Sequence, residues 1–202
     1  MRLHYSKTSP YVRKVLVLLH ETGLLDEVEL TATGGTPLDS SAMPLDQNPL
    51  GKIPVLERPD GPALYDSRVI CQYLAHRAGT GLYPAAPALW DVLTLEATAD
   101  GMLDAALAIV YETRLRPEEL VMPALMDGYW EKVARSAATL DARWMDHLNG
   151  PVTMGHLAVA SALGYLDFRH DARNWRANAP QLDRWYAEFS QRPSLKATAP
   201  AA

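Results

Sequence analysis

Strand-like and helix-like stretches alternate in this 202-residue chain only up to residue 77, and from Ala88 onward every periodic stretch reads as helix. A chain with that break is neither one continuous α/β sheet nor one helical bundle. It reads as an α/β domain followed by an all-α domain. Between them Gly79, Gly81, Pro84 and Pro87 interrupt both patterns, which is linker chemistry. The expected boundaries are residues 1–77, a linker over 78–87, and a helical domain over 88–202.

Within the first part, Leu3-His4-Tyr5 suits a short strand. Ser9 is a preferred N-cap and Pro10 a preferred first helical residue. Val12, Val15, Leu16 and Leu19 follow at helical spacing, and Gly23 is a natural stop. Asp26 to Leu30 reads as a second strand with Val28 and Leu30 on one face. Residues 31–47 are rich in Thr, Gly, Ser, Pro and Asp and read as an irregular loop with room for one helical turn. Ile53-Pro54-Val55-Leu56 reads as a strand entered through a proline. The Pro59-Asp60-Gly61 turn returns Ala63-Leu64-Tyr65 as its hairpin partner. Asp66-Ser67 then opens a helix carrying Val69, Ile70, Tyr73 and Leu74. The order is β-α-β-α-β-β-α. The second part holds helical patterns over residues 88–115, 123–148, 153–167 and 179–190, and all five tryptophans. The alanine-rich tail after Pro193 is expected to be loosely held.

Composition narrows the function. The formal net charge is -5, and neither part carries a basic excess of the kind that binds phosphate backbones, so no nucleic-acid partner is expected. Cys71 is the single cysteine, which excludes an internal disulfide or a CxxC pair and fits a reducing compartment. The six histidines show no metal-ligand spacing, and no metal is assigned. The chain starts on Arg2-Leu3-His4-Tyr5 without an apolar leader, and no apolar run is long enough to span a bilayer. No membrane association is expected, and the expected location is cytoplasmic.

Three segments carry chemistry, and each also has a plain structural reading. Ser9-Pro10-Tyr11 places a hydroxyl at a helix N-terminus, where free N–H groups and the helix dipole favour an anion. The hydroxyl can donate to a thiolate, or it can be only a cap. In Asn48-Pro49-Leu50-Gly51-Lys52-Ile53-Pro54, a proline entering a strand cannot donate to the ladder. If the Ile53–Pro54 bond is cis, the Ile53 backbone can face a peptide-like ligand; if trans, the proline merely ends a loop. Tyr65-Asp66-Ser67-Arg68 puts a carboxylate and a hydroxyl before a helix. That pair suits the ammonium and carboxylate of an α-amino acid, or a simple cap.

The order and spacing of these segments resemble the glutathione transferase superfamily, over essentially the whole chain. The resemblance includes Ser9, Gly51-Lys52-Ile53-Pro54-Val55-Leu56 and Asp66-Ser67. In the helical part it includes Ala99-Asp100-Gly101, Leu163-Gly164-Tyr165-Leu166 and Arg192-Pro193-Ser194. Bacterial, cytosolic, serine-type members fit best. The resemblance implies a thioredoxin-like N-terminal domain with a mixed sheet, an all-α C-terminal domain, and a homodimer. It implies that Ser9 hydrogen-bonds the glutathione sulfur. The Ile53 backbone, beside Pro54, would pair with the cysteinyl moiety, and Asp66-Ser67 would hold the γ-glutamyl group. Lys52 would reach the glycine carboxylate, and Arg68 would add to the γ-glutamyl end. Tyr11, Tyr111 and Trp175 are candidates for the electrophile pocket, though aromatic residues at helical spacing are also ordinary core.

The implied activity is conjugation of the glutathione thiolate to a small hydrophobic electrophile, a detoxification chemistry. Glutathione would be a cosubstrate, and no other cofactor is needed. Ser9 in place of the cysteine of other members argues against disulfide exchange, and Cys71 inside a helix reads as core. The same residues would serve a glutathione-dependent isomerase, dehalogenase or peroxidase. A non-catalytic glutathione-binding or scaffold protein on the same fold is a further alternative. At Thr153-Met154-Gly155-His156 a histidine stands where many relatives place the aspartate of a capping box. The reciprocal bond back to Thr153 is therefore expected to be weak or absent.

Overall fold

The structure, a computed structural model, describes residues 1–200. It divides into two compact units, one made of Met1–Leu89 and the C-terminal segment from Pro193, the other of Trp90–Arg192.

The first unit is built on four short strands, β1 (Arg2–Tyr5), β2 (Glu29–Ala32), β3 (Val55–Arg58) and β4 (Gly61–Leu64). They form a mixed sheet in the order β2-β1-β3-β4. β1 is parallel to β2 and antiparallel to β3, with Leu3 facing both Leu30 and Leu56 across the ladders. Helices α1 (Pro10–Thr22) and α2 (Ser67–Arg77) pack on each other, and their apolar faces bury Val12, Val15, Leu19, Ile70 and Leu74 completely, as Leu3 and Leu56 are buried in the sheet. α1 starts where the sequence places it. Ser9 caps it in an extended conformation and Pro10 takes the first helical position. It stops at Gly23, whose φ of 71° lets the Leu24 N–H return to the Leu19 carbonyl at 3.0 Å. This is the thioredoxin-like arrangement.

Three local expectations change. Leu25–Glu27 forms a 3-10 turn, because the N–H groups of Glu27 and Val28 bond back to Leu24 and Leu25. β2 therefore starts at Glu29, with Val28 buried and Leu30 largely exposed rather than sharing a face. No helix forms between β2 and β3. Turns such as Met43 N–H to Ser40 and Asn48 N–H to Pro44 fill the segment, whose glycines and prolines interrupt any longer ladder. The described part of the tail is not loose, and residues 201–202 lie outside the described residues. α8 (Pro193–Ala197) packs on α1, Leu195 is buried, and its carbonyl accepts from Arg13 Nη2 at 3.2 Å. Ser194 donates to Glu21.

The second unit is helical, and among the described residues no strand lies beyond Leu64. α3 (Ala88–Leu115), α4 (Pro123–Arg143), α5 (Met145–Leu148), α6 (Met154–His170) and α7 (Pro180–Phe189) follow in order. The sequence pattern joins α4 to α5; the helix breaks at Trp144, whose φ is -118°. α6 is the central element, buried without interruption from Met154 to Leu166. Its start passes so close to α3 that a Cβ on Gly155 would stand 3.0 Å from Leu95.

The capping box of α6 is complete, against expectation. The Thr153 N–H donates to His156 Nδ1 at 3.1 Å, and the Thr153 hydroxyl lies 3.0 Å from the same nitrogen. A neutral imidazole offers a lone pair there just as a carboxylate would. Burial first, then the neighbouring His147 charge, hold the His156 pKa down to about 4, so it stays neutral.

Candidate functional site

The strand register brings the three chemistry-bearing segments to one end of the first unit's sheet. His4 pairs with Val55 across the β1–β3 ladder, so Pro54 and Ile53 run on beside the end of β1, where the chain turns toward Ser9. Leu56 pairs with Leu64 across β3–β4, which carries Asp66 and Ser67 to the same end. Each segment lies just beyond a strand end. There the backbone groups lie outside the ladder.

Ser9 sits half-buried at the start of α1. Its Oγ accepts from the Val12 N–H at 3.3 Å, and its own N–H donates to the Ser6 carbonyl at 3.2 Å. Val12 occupies the third helical position and has no polar group to bond back, so the box is open on that side. Next to this turn is a pocket of about 440 Å³ at the C-terminal ends of the parallel pair β1 and β2. Tyr5, Ser6, Lys7, Thr33 and Gly34 contribute to its walls. The C-terminal end of parallel strands is where open α/β sheets usually take ligands.

Ile53–Pro54 is a cis bond, and Ile53 lies outside the ladder that starts at Val55. The loop before it is braced from inside. Asn48 is only 2% exposed, its Nδ2 donates to the Lys52 carbonyl at 2.8 Å, and its Oδ1 accepts from the Leu50 N–H at 3.0 Å. Gly51, at φ 59°, passes within van der Waals reach of Ser40, so a side chain there would be strained and crowded. The Lys52 side chain is left exposed.

Asp66 caps α2, accepting from the Arg68 N–H at 3.0 Å, and its second oxygen pairs with Arg68 Nη2 at 2.8 Å. Partial burial raises its pKa. The hydrogen bonds and charge of Arg68, together with the charge of Lys14, outweigh that and hold the carboxyl below its ordinary range. Asp66 is thus an anion at neutral pH. Ser67 beside it is buried at the first helical position.

Two residues of this neighbourhood are not legible as site residues from their patterns. Asn48 reads as part of a turn, yet it holds the segment that presents Ile53. Lys14 reads as a surface charge on an amphipathic helix, yet it is fully buried in α1, close enough to act on Asp66. A lysine inside the run Val12 to Leu19, buried nearly throughout, is the signal that could have drawn attention to it.

The electrophile-pocket candidates part ways. Tyr11 is half-buried on the first turn of α1. Tyr111 is half-buried on α3, and burial raises its phenol pKa, so it is a neutral donor. Trp175 is 2% exposed; its indole donates to Asp167 Oδ1 at 2.8 Å, packs edge-on against Tyr186 and carries Arg176 over its face at 4.4 Å. Trp175 is therefore spent on the core of the second unit. Among the described residues no three His, Cys, Asp or Glu side chains cluster as metal ligands would, and no helix is long and apolar enough to cross a membrane.

Comparison with known proteins adds to this geometry. A family model for the glutathione S-transferase N-terminal domain matches residues 8–77, and one for the C-terminal domain matches residues 123–188. A glutathione transferase family member from Pseudomonas fluorescens Pf-5, solved with bound glutathione, is 46% identical with a TM-score of 0.96, covering 100% of this chain and 99% of that one. A second structure from that organism, with bound S-(propanoic acid)-glutathione, is 45% identical with a TM-score of 0.92, covering 100% of both chains. The GST-like protein YibF of Escherichia coli (strain K12) is 32% identical over 99% of this chain and 98% of its own length.

Proposed function

Because this chain belongs to the glutathione S-transferase superfamily, we propose that it binds glutathione at the sheet end described above and transfers the glutathione thiolate to a small hydrophobic electrophile. The observation that carries the reading is the convergence of Ser9, Ile53 and Asp66-Ser67 at one end of the sheet, in a chain so similar to one that holds glutathione.

Each end of the ligand has a complementary group. Asp66 takes the γ-glutamyl ammonium, sharing its charge with Arg68. Ser67 and the N-terminus of α2 take the γ-glutamyl carboxylate. The Ile53 backbone pairs with the cysteinyl unit as an added strand would, and Lys52 meets the glycine carboxylate. That leaves the sulfur at Ser9. A free thiol titrates near about 8.5, and a hydroxyl donor with a helix N-terminus beneath it favours the thiolate. The thiolate then attacks the electrophilic carbon and forms the S–C bond. The leaving group departs with its electron pair or, in an addition, a proton completes the neighbouring atom. Proximity and a larger fraction of nucleophile supply the acceleration. Tyr11 and Tyr111 stay candidates to touch the electrophile, and Trp175 does not. The S-(propanoic acid)-glutathione held by the Pseudomonas relative is a thioether and supports conjugation as the reaction class. The superfamily also supports a cytoplasmic homodimer, to be checked as twice the chain mass by light scattering.

The test is calorimetric titration with glutathione, comparing wild type with Asp66→Ala. Loss of a charge-assisted contact should weaken binding roughly tenfold or more. Absence of binding in the wild type would overturn the reading and favour a scaffold protein on the same fold.

A further inference from the structure

The helical unit has a pocket of its own, of about 300 Å³, that the glutathione chemistry does not use. The last turns of α3, the start of α4 and the end of α6 with the turn after it form its walls. Ile109, Val110 and Met126 are its apolar members, and Arg114, Arg169 and Arg173 are its cationic ones. Arg173 is paired with Asp127 at 3.1 Å, through a carboxylate that is itself 67% exposed. Arg169 lies 3.9 Å over the ring of Phe168. Among the described residues no carboxylate comes within ion-pair distance of Arg114 or Arg169.

The neutral groups around the pocket do not offset this charge. His170 donates from Nε2 to the Ala106 carbonyl at 2.9 Å, and burial lowers its pKa, so it is uncharged. The Tyr165 hydroxyl feels both Arg169 and Arg114, but burial dominates and pushes it up to about 12, so it remains a phenol. Two cations beside an apolar wall repel one another and attract any anion that enters, more strongly than in open water. A guanidinium presents its donors in a planar fork that matches a carboxylate. The volume suits a compact apolar body behind that head.

We propose that this pocket binds a small carboxylate ligand with an apolar body, its carboxylate held by Arg114 and Arg169 and its body against Ile109, Val110 and Met126. This site goes beyond the glutathione reading. It is tested without glutathione, so the failure of either leaves the other standing.

The probe is 3-phenylpropanoate, with 3-phenylpropanamide as its neutral match and inorganic phosphate as the bare anion. Binding is followed by calorimetry and by tryptophan fluorescence, because Trp130 lies against both His170 and Arg173. The carboxylate should bind at least tenfold more tightly than the amide or phosphate. Arg114→Gln, at an exposed position, and Arg169→Gln should each weaken it by roughly ten- to hundredfold while the amide is unaffected. Arg114→Lys should recover only part of the loss, because the fork is gone. Equal affinity for acid and amide, undiminished binding in both glutamine variants, or phosphate binding as tight as the carboxylate would overturn the proposal.

Discussion

The starts of α1 and α6 carry nearly the same local signature and end in opposite states. Both helices follow an extended residue with a hydroxyl, Ser9 in one and Thr153 in the other. At α6 the third helical residue, His156, is 1% exposed and bonds back to a half-buried Thr153. At α1 the third helical residue is Val12, which cannot reply. Ser9 keeps one long bond of 3.3 Å, half-buried at the sheet end where a pocket opens. A sealed cap serves stability. An open cap leaves a hydroxyl and a helix dipole for something else to use.

The sharpest way to break this comparison is pH. The folded pKa of His156 is lowered from 6.5 to about 4, so between those values the unfolded chain binds a proton that the folded one does not. Stability from this group is fully present above pH 6.5 and falls as pH drops, by about 3 kcal/mol down to pH 4. Gln in place of His156 keeps an acceptor in the box without titrating. Urea denaturation at pH 7, 5.5 and 4 should show a steeper loss in wild type than in His156→Gln; parallel losses would mean the box is not what holds the imidazole neutral.

Next in size is the open cap. Ser9→Ala should raise the pKa of bound glutathione and slow conjugation of a test electrophile roughly tenfold or more, since a hydrogen bond to a charged partner is lost. An unchanged thiol pKa, read by ultraviolet difference titration, would return Ser9 to a purely structural role. Smaller again is Thr153→Ala, expected to cost about 1 kcal/mol of stability with glutathione affinity unchanged. Smallest is the stability cost of Ser9→Ala itself, below about 1 kcal/mol, because a single long cap bond is removed. If Ser9→Ala destabilised the protein more than Thr153→Ala, the distinction between open and sealed caps would collapse.

The sequence by itself determined where most helices begin and end, because those signals are local. Ser9, Pro10 and Gly23 lie within one element, and α3 spans the residues its periodicity marks. The order of segments also pointed to the family, although the helix expected between β2 and β3 does not form. What it could not carry are contacts between residues far apart in the chain. α7 begins at Pro180 with no cap of its own, and Asp141 supplies one, accepting from the Gln181 and Leu182 N–H groups at 2.6 and 2.8 Å. α8 lies against α1 through Arg13 and Leu195, although the alanine-rich tail has little local drive to order. Lys14 is buried and Arg114 joins Arg169 across the helical pocket for the same reason. Short-range signals are set by the backbone's own geometry and the hydrogen bonds of one turn. Burial and long-range pairing depend on which surfaces the folded chain brings together, and only the tertiary structure decides that.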